Sequence, residues 1–141
     1  MKAALADSQQ MAKDAGHAGI EFVAMHGHDA ASDAAVLLAE GYAGATNYHE
    51  WGRAVEMAPA PALARFDDVA ATAPEAWKRR AETCGPLTYY PVVDTGWDSR
   101  PWHGDKSIVL GGRNTAAFSS LLEDAKAFCA ERRLPFVVLG P

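Results

Sequence analysis

Two cysteines, Cys84 and Cys129, are all that 141 residues carry, and neither stands in a C-x-x-C pair or at Cys/His metal spacing. Both read as small buried apolar residues, and the compartment stays open on that count. Excess positive charge is missing too. Thirteen Lys and Arg stand against eighteen Asp and Glu, a net charge of -5, and the basic residues are scattered without a stripe, which argues against a nucleic-acid partner. Lys78, Arg79 and Arg80 form the one local cluster and read as the solvated face of a helix. No stretch is apolar for the length of a membrane span, and residues before Asp7 have no leader-type apolar core, so the cytoplasm is the default compartment. There is no G-x-x-x-x-G-K-S/T loop and no G-x-S-x-G. Gly111-Gly112 reads as a turn, and no cofactor is implied.

What is present is an ordinary globular composition, 49% hydrophobic and 22% charged, in a chain of single-domain length. A complete eight-fold β/α barrel typically takes about 250 residues, so the chain is too short for one. The first helix is predicted over 5–15, closed by Gly16, and a strand follows over 19–25, G-I-E-F-V-A-M. Asp29 or Ser32 is placed to cap a helix that runs to Glu40. A strand over 43–48 comes next, then an irregular excursion over 53–66. Thr72-Ala73-Pro74-Glu75 has the pattern of a capping box with an early proline, predicting a helix to Thr83 with Trp77, Ala81 and Cys84 inward. A strand is expected over 87–93. Behind Asn114, Phe118, Leu121, Leu122, Ala125, Phe128 and Cys129 fall on one helical face, and 136–139 reads as an apolar strand.

Four strands alternating with four helices, and no hairpin signal between them, predict an α/β fold of parallel βα repeats. Such a chain is a small open sheet or a partial barrel of about four strands. In either, the loops that follow the strands share one rim, which is where parallel α/β folds bind ligands.

Those loops carry the chemistry. The first holds His26, His28 and Asp29, the second Tyr48, His49, Glu50 and Trp51, and the third Asp94, Trp97, Asp98, Arg100 and His103. Residues 87–104, L-T-Y-Y-P-V-V-D-T-G-W-D-S-R-P-W-H-G, end a strand with two carboxylates, two indoles, a guanidinium and an imidazole. Flat rings that stack on sugar faces, beside charged groups that take hydroxyls, suit a hydroxyl-rich ligand. A structured loop in which Arg100 merely pairs with Asp98 is the plainer alternative. His26-x-His28, completed by His49 or Asp98, is the runner-up as the start of a metal hydrolase site, since alternate residues of an extended segment face one way.

Tyr89-Tyr90-Pro91, then Gly96-Trp97-Asp98 with Arg100-Pro101, then Arg113-Asn114-Thr115 with Phe118 opening a helix, resembles the late part of the glycoside hydrolase family 99-like proteins. These include the WbsX-like proteins of bacterial polysaccharide gene clusters. The resemblance implies half of a TIM barrel, with Tyr48, Tyr90, Trp97, Asp98 and Arg100 shaping a sugar subsite; together with the rim residues His26, His28, Glu50, Trp51 and Asp94 they are expected to contact an oligosaccharide or polysaccharide. It also implies that the two catalytic glutamates belong to a W-N-E-W-x-E-G motif expected just after Leu139-Gly140-Pro141. The chain is then a piece of a larger catalytic domain. Asn47-Tyr48-His49-Glu50-Trp51-Gly52 is not that motif, because Arg53 stands where the second glutamate belongs. Glycoside hydrolysis takes two carboxyl groups, and Glu50 is one. A glycan-binding module complete in itself is the alternative. Half a barrel leaves two open sheet edges, so copies of the chain are expected to associate through them.

Overall fold

The computed structural model describes residues 2–26, 30–51 and 62–141, with backbone alone for residues 26, 30–32 and 62. Its mixed α/β order is α1 (Lys2–Asp14), β1 (Val23–His26), α2 (Ala30–Glu40), β2 (Gly44–Asn47), β3 (Ala62–Arg65), α3 (Phe66–Thr83), β4 (Thr88–Tyr89), β5 (Val92–Asp94), β6 (Trp97–Asp98), α4 (Arg100–His103), β7 (Ile108–Gly111), α5 (Thr115–Arg132) and β8 (Val138–Gly140).

The parallel strands read from the sequence are present and pair in chain order. β1 lies parallel to β2, β2 to β4, and β5 to β8. Pro91, which has no N–H, separates β4 from β5, yet the ladder carries across the break. Tyr90 donates its amide to the Ala45 carbonyl (2.9 Å) and Val138 donates to the Pro91 carbonyl (2.9 Å), so residues 88–94 act as one extended run touching both neighbours. Gly44 is needed at the start of β2, since a Cβ there would sit 2.6 Å from the Tyr90 ring and 2.8 Å from the Thr88 carbonyl oxygen.

Three expectations are corrected. The described residues contain eight strands where four were expected, and not all are parallel. β3 and β7 pair in parallel, while β6 runs antiparallel to β7, so these strands form a separate small sheet, ordered β3-β7-β6, beside the β1-β2-β4 and β5-β8 ladders. Part of the expected excursion, 62–65, is a strand, and 52–61 lie outside the described residues. The helix predicted from Thr72 begins at Phe66, because Phe66, Val69, Ala70, Ala73, Ala76 and Trp77 form one buried face that the proline does not interrupt. Interior proline costs a helix about 3 kcal/mol, a cost that burial of two aromatic rings and a valine offsets. Thr72 is no cap; its hydroxyl donates to the Asp68 carbonyl one turn back (2.9 Å). Asp67 and Asp68 occupy the first turn, where the helix dipole favours them.

α3 and α5 pack on the sheet and on each other, Trp77 against Phe128 (5.8 Å between centroids) and Phe66 against Phe118 (6.4 Å). Trp77 is fully buried and donates its indole N–H to the Val92 carbonyl (3.0 Å), which ties helix to sheet. α5 has the predicted face and the predicted start: Asn114 Oδ1 accepts from the Ala117 amide, and its amide group donates to Asp67 on α3 (2.7 Å). Arg133, in the left-handed region at φ 57°, ends it. Both cysteines are buried and free, and burial pushes both thiols up from their ordinary pKa. The apolar strand at 136–139 is not enclosed as its sequence suggests, because Leu139 is 61% exposed on β8. Met25, on β1 at the other outer edge, is exposed as well. No described helix is long and apolar enough to cross a membrane.

Candidate functional site

β2 and β5 end side by side, and the residues that follow them meet. Asp94 closes β5 at 1% exposure. Its Oδ1 lies 2.6 Å from His49 Nδ1, and its Oδ2 accepts the Glu50 backbone amide at 2.7 Å. Both oxygens are therefore committed to the turn after β2, and Asp94 holds His49 in place. Around the imidazole stand three rings. Trp51 stacks on it (4.1 Å between centroids, 28°), while Tyr48 and Trp97 meet it edge-on, each at 4.7 Å.

Trp97 carries the cluster outward. Trp102 stacks on it at 5.8 Å and 13° and is 69% exposed. Pro101 in the first turn of α4 and the Ser99 hydroxyl, which accepts the Ile108 amide and closes the loop, bring the second indole back over the first. These rings border an open cleft of about 640 Å³ with Asp98, Arg100 and Arg113 at its sides. Gly96, at φ +126°, leaves room for the Arg113 side chain, whose Cδ would lie 2.3 Å from a Cβ at that position. Arg100 Nε reaches both Asp98 oxygens (2.9 and 3.0 Å), and the Arg100 amide donates to Oδ1. These bonds hold the Asp98 carboxyl down at about 2, chiefly through the Arg100 side chain. The pair is open to solvent, so it stays charged and available to a ligand at any physiological pH.

Glu50 turns away from this group. At 4% exposure it accepts from Arg80 Nε (2.9 Å), Asn47 Nδ2 (3.1 Å) and the Tyr89 hydroxyl (3.4 Å). Burial works against the Arg80 charge, but the bond to Glu50 and its charge outweigh this, so the Arg80 pKa is raised. Burial and then the Glu50 charge push the Tyr89 phenol far up. Tyr90 also stands apart, its ring stacked on Phe136 and its hydroxyl donating to the Glu21 carboxylate; burial, then that bond, raises it to about 12.

The structure thus gathers Tyr48, Trp51, Asp94 and Trp97 around His49, sets Asp98 and Arg100 on the neighbouring cleft, and separates Glu50 and Tyr90 from both. His26 closes β1, but its side chain and the whole of His28 lie outside the described residues. The metal reading needed His49 or Asp98 as third ligand: Asp98 is engaged by Arg100, and Asp94 engages only Nδ1 of His49, while the side chains of His26 and His28 lie outside the described residues. Among the described residues no three His, Cys, Asp or Glu side chains come together as a metal site. Sequence reasoning left Trp102 and Arg113 out of the ligand-contacting set. The signal for Trp102 was R-P-W, a proline-started turn that returns an indole five residues after Trp97. A second groove, about 380 Å³ between α1 and α2, is lined by Leu5, Ile20, Phe22 and Leu38 with Lys2, Gln9 and Glu40, and carries no indole platform.

Comparison with known protein families, with characterised proteins and with solved structures returns no match.

Proposed function

We propose that the chain binds an oligosaccharide at the rim of a partial parallel β/α barrel, as a glycoside hydrolase family 99-like protein whose catalytic glutamates are not among these 141 residues. The observation that carries the reading is the exposed Trp102 face, backed by Trp97 and flanked by the Asp98–Arg100 pair. An indole platform takes the C–H face of a pyranose, and an ionised carboxylate beside a guanidinium takes its hydroxyls from the side. Parallel strands paired in chain order, with outer edges on β1 and β8 that have no strand partner among the described residues, support the partial barrel.

Hydrolysis by this chain is not expected. Two carboxyl groups would have to flank a scissile bond with one free to give a proton. Asp94 is buried and doubly bonded, Glu50 is bonded to Arg80 on another side, and Asp98 remains ionised. The chain accordingly binds without turnover.

Calorimetric titration with mannan, glucan and galactan oligosaccharides tests this. Binding to at least one, weakened about five-fold or more in Trp102→Ala by loss of roughly 1 kcal/mol of stacking, is the expected result. Heat that is unchanged in Trp102→Ala overturns the assignment of the platform. Steady sugar release from an aryl glycoside, abolished in Asp98→Ala, overturns the non-hydrolytic reading.

A further inference from the structure

The sugar-binding reading leaves two buried atoms unused. A carboxylate without a proton only accepts hydrogen bonds, so the 2.6 Å contact to Asp94 puts the proton of a neutral His49 on Nδ1. Nε2 is then a bare lone pair. It is buried and has no partner among the described residues. Trp51 Nε1, which only donates, is in the same condition, on the ring stacked 4.1 Å from the imidazole. Buried polar atoms in folded proteins are nearly always paired, and an exception asks for an explanation. Of the three exceptions among the described residues, the Ser107 hydroxyl stands elsewhere in the chain, and the other two are complementary, one acceptor and one donor on adjacent rings. Stacked rings do not bond one another through their edges, so they cannot satisfy each other.

A hydroxyl group satisfies both at once, because it gives one hydrogen and accepts another. We propose that His49 Nε2 and Trp51 Nε1 form a subsite for a single hydroxyl of the bound sugar, with Nε2 accepting its hydrogen and the indole N–H donating to its oxygen. Asp94 is the positioning residue that fixes the imidazole tautomer. Trp97, edge-on to His49 and stacked under Trp102, joins this subsite to the open platform, so one ligand spans both. Tyr48, edge-on to His49, is about half exposed. The inference rests on the sugar-binding reading and adds the atoms that select the ligand.

Nitrogen-15 spectra of the histidine rings and indoles of the intact chain, with and without the same oligosaccharides, test it. The expected result is an unprotonated Nε2 signal for His49 that moves upfield when sugar is added, with a concurrent shift of the Trp51 indole N–H. Asp94→Asn, whose amide can donate to Nδ1, should transpose the tautomer and place the proton on Nε2. Trp51→Phe, which keeps a ring but drops the donor, should weaken binding by roughly five-fold. Sugar that binds in a Trp102-dependent way while the His49 and Trp51 signals stay still overturns the subsite and leaves the platform standing. An Nε2 signal already shifted before sugar and unchanged by it means that water fills the place, which overturns the subsite as well. No binding of any of the sugars overturns both readings.

Discussion

Glu50→Ala separates a structural carboxylate from a ligand-binding one. Glu50 is 4% exposed and receives three donors, from Arg80 at 2.9 Å, Asn47 at 3.1 Å and Tyr89 at 3.4 Å. Its removal takes the carboxylate from a guanidinium whose side chain is itself 18% exposed. Breaking a buried ion pair from one side costs about 3–5 kcal/mol, and the residual solvent contact of Arg80 puts this case at the lower end, about 3 kcal/mol. For a domain of this size each kcal/mol moves the midpoint by roughly 3 °C, so thermal unfolding followed by circular dichroism should drop by about 10 °C. Below that midpoint the folded variant should bind oligosaccharide as the parent does, since Glu50 faces Arg80 and not the cleft. A variant that melts with the parent but no longer binds sugar refutes the reasoning and returns Glu50 to the ligand.

Asp98 should titrate near 2 by carbon-13 carboxyl spectra, and Arg100→Gln should return it toward the ordinary carboxylate range. The sign follows from the depressed value: the stabilisation is complete above about pH 4 and is lost as pH falls toward 2, with a small, salt-sensitive size because both groups are exposed. Gly44→Ala should destabilise by roughly 1–3 kcal/mol in a denaturant titration, because one of its clashes is with the Thr88 backbone oxygen, which cannot swing aside. Sedimentation at rising concentration should show self-association, with Met25 and Leu139 exposed on the two outer strands; a sharp monomer throughout contradicts a partial barrel with open edges.

What the sequence made legible was the set of long or strongly patterned elements. The α5 face at Phe118, Leu121, Leu122, Ala125, Phe128 and Cys129 was plain, as was its Asn114 start, and four parallel strands followed from alternation with helices. Phe66, Val69, Ala70, Ala73, Ala76 and Trp77 repeat the α5 spacing of i, i+3, i+4, i+7, i+10 and i+11, yet Pro74 and the Thr72 pattern argued locally for a later start. Packing decided against them. β3 is four residues long and exists because of a partner far along the chain, with Ala62 opposite Ile108, and β6 is only two residues long and folds back on β7 across α4, so no local pattern announces them. The same limit applies to the site. His49 and Asp94 were each noted for their chemistry, but their pairing depends on β2 and β5 ending together. Glu50 and Tyr90 are residue types that sugar sites use, and only tertiary partners, Arg80 and Glu21, reveal the structural work they do.

The most direct test of a sugar platform uses the four indole N–H signals of Trp51, Trp77, Trp97 and Trp102 during titration with oligosaccharide. The account predicts that the Trp97 and Trp102 signals move together and saturably, while that of Trp77, bonded to the Val92 carbonyl in the core, stays in place. Saturable binding that leaves Trp97 and Trp102 unmoved, or shifts confined to residues of the α1–α2 groove, contradicts it.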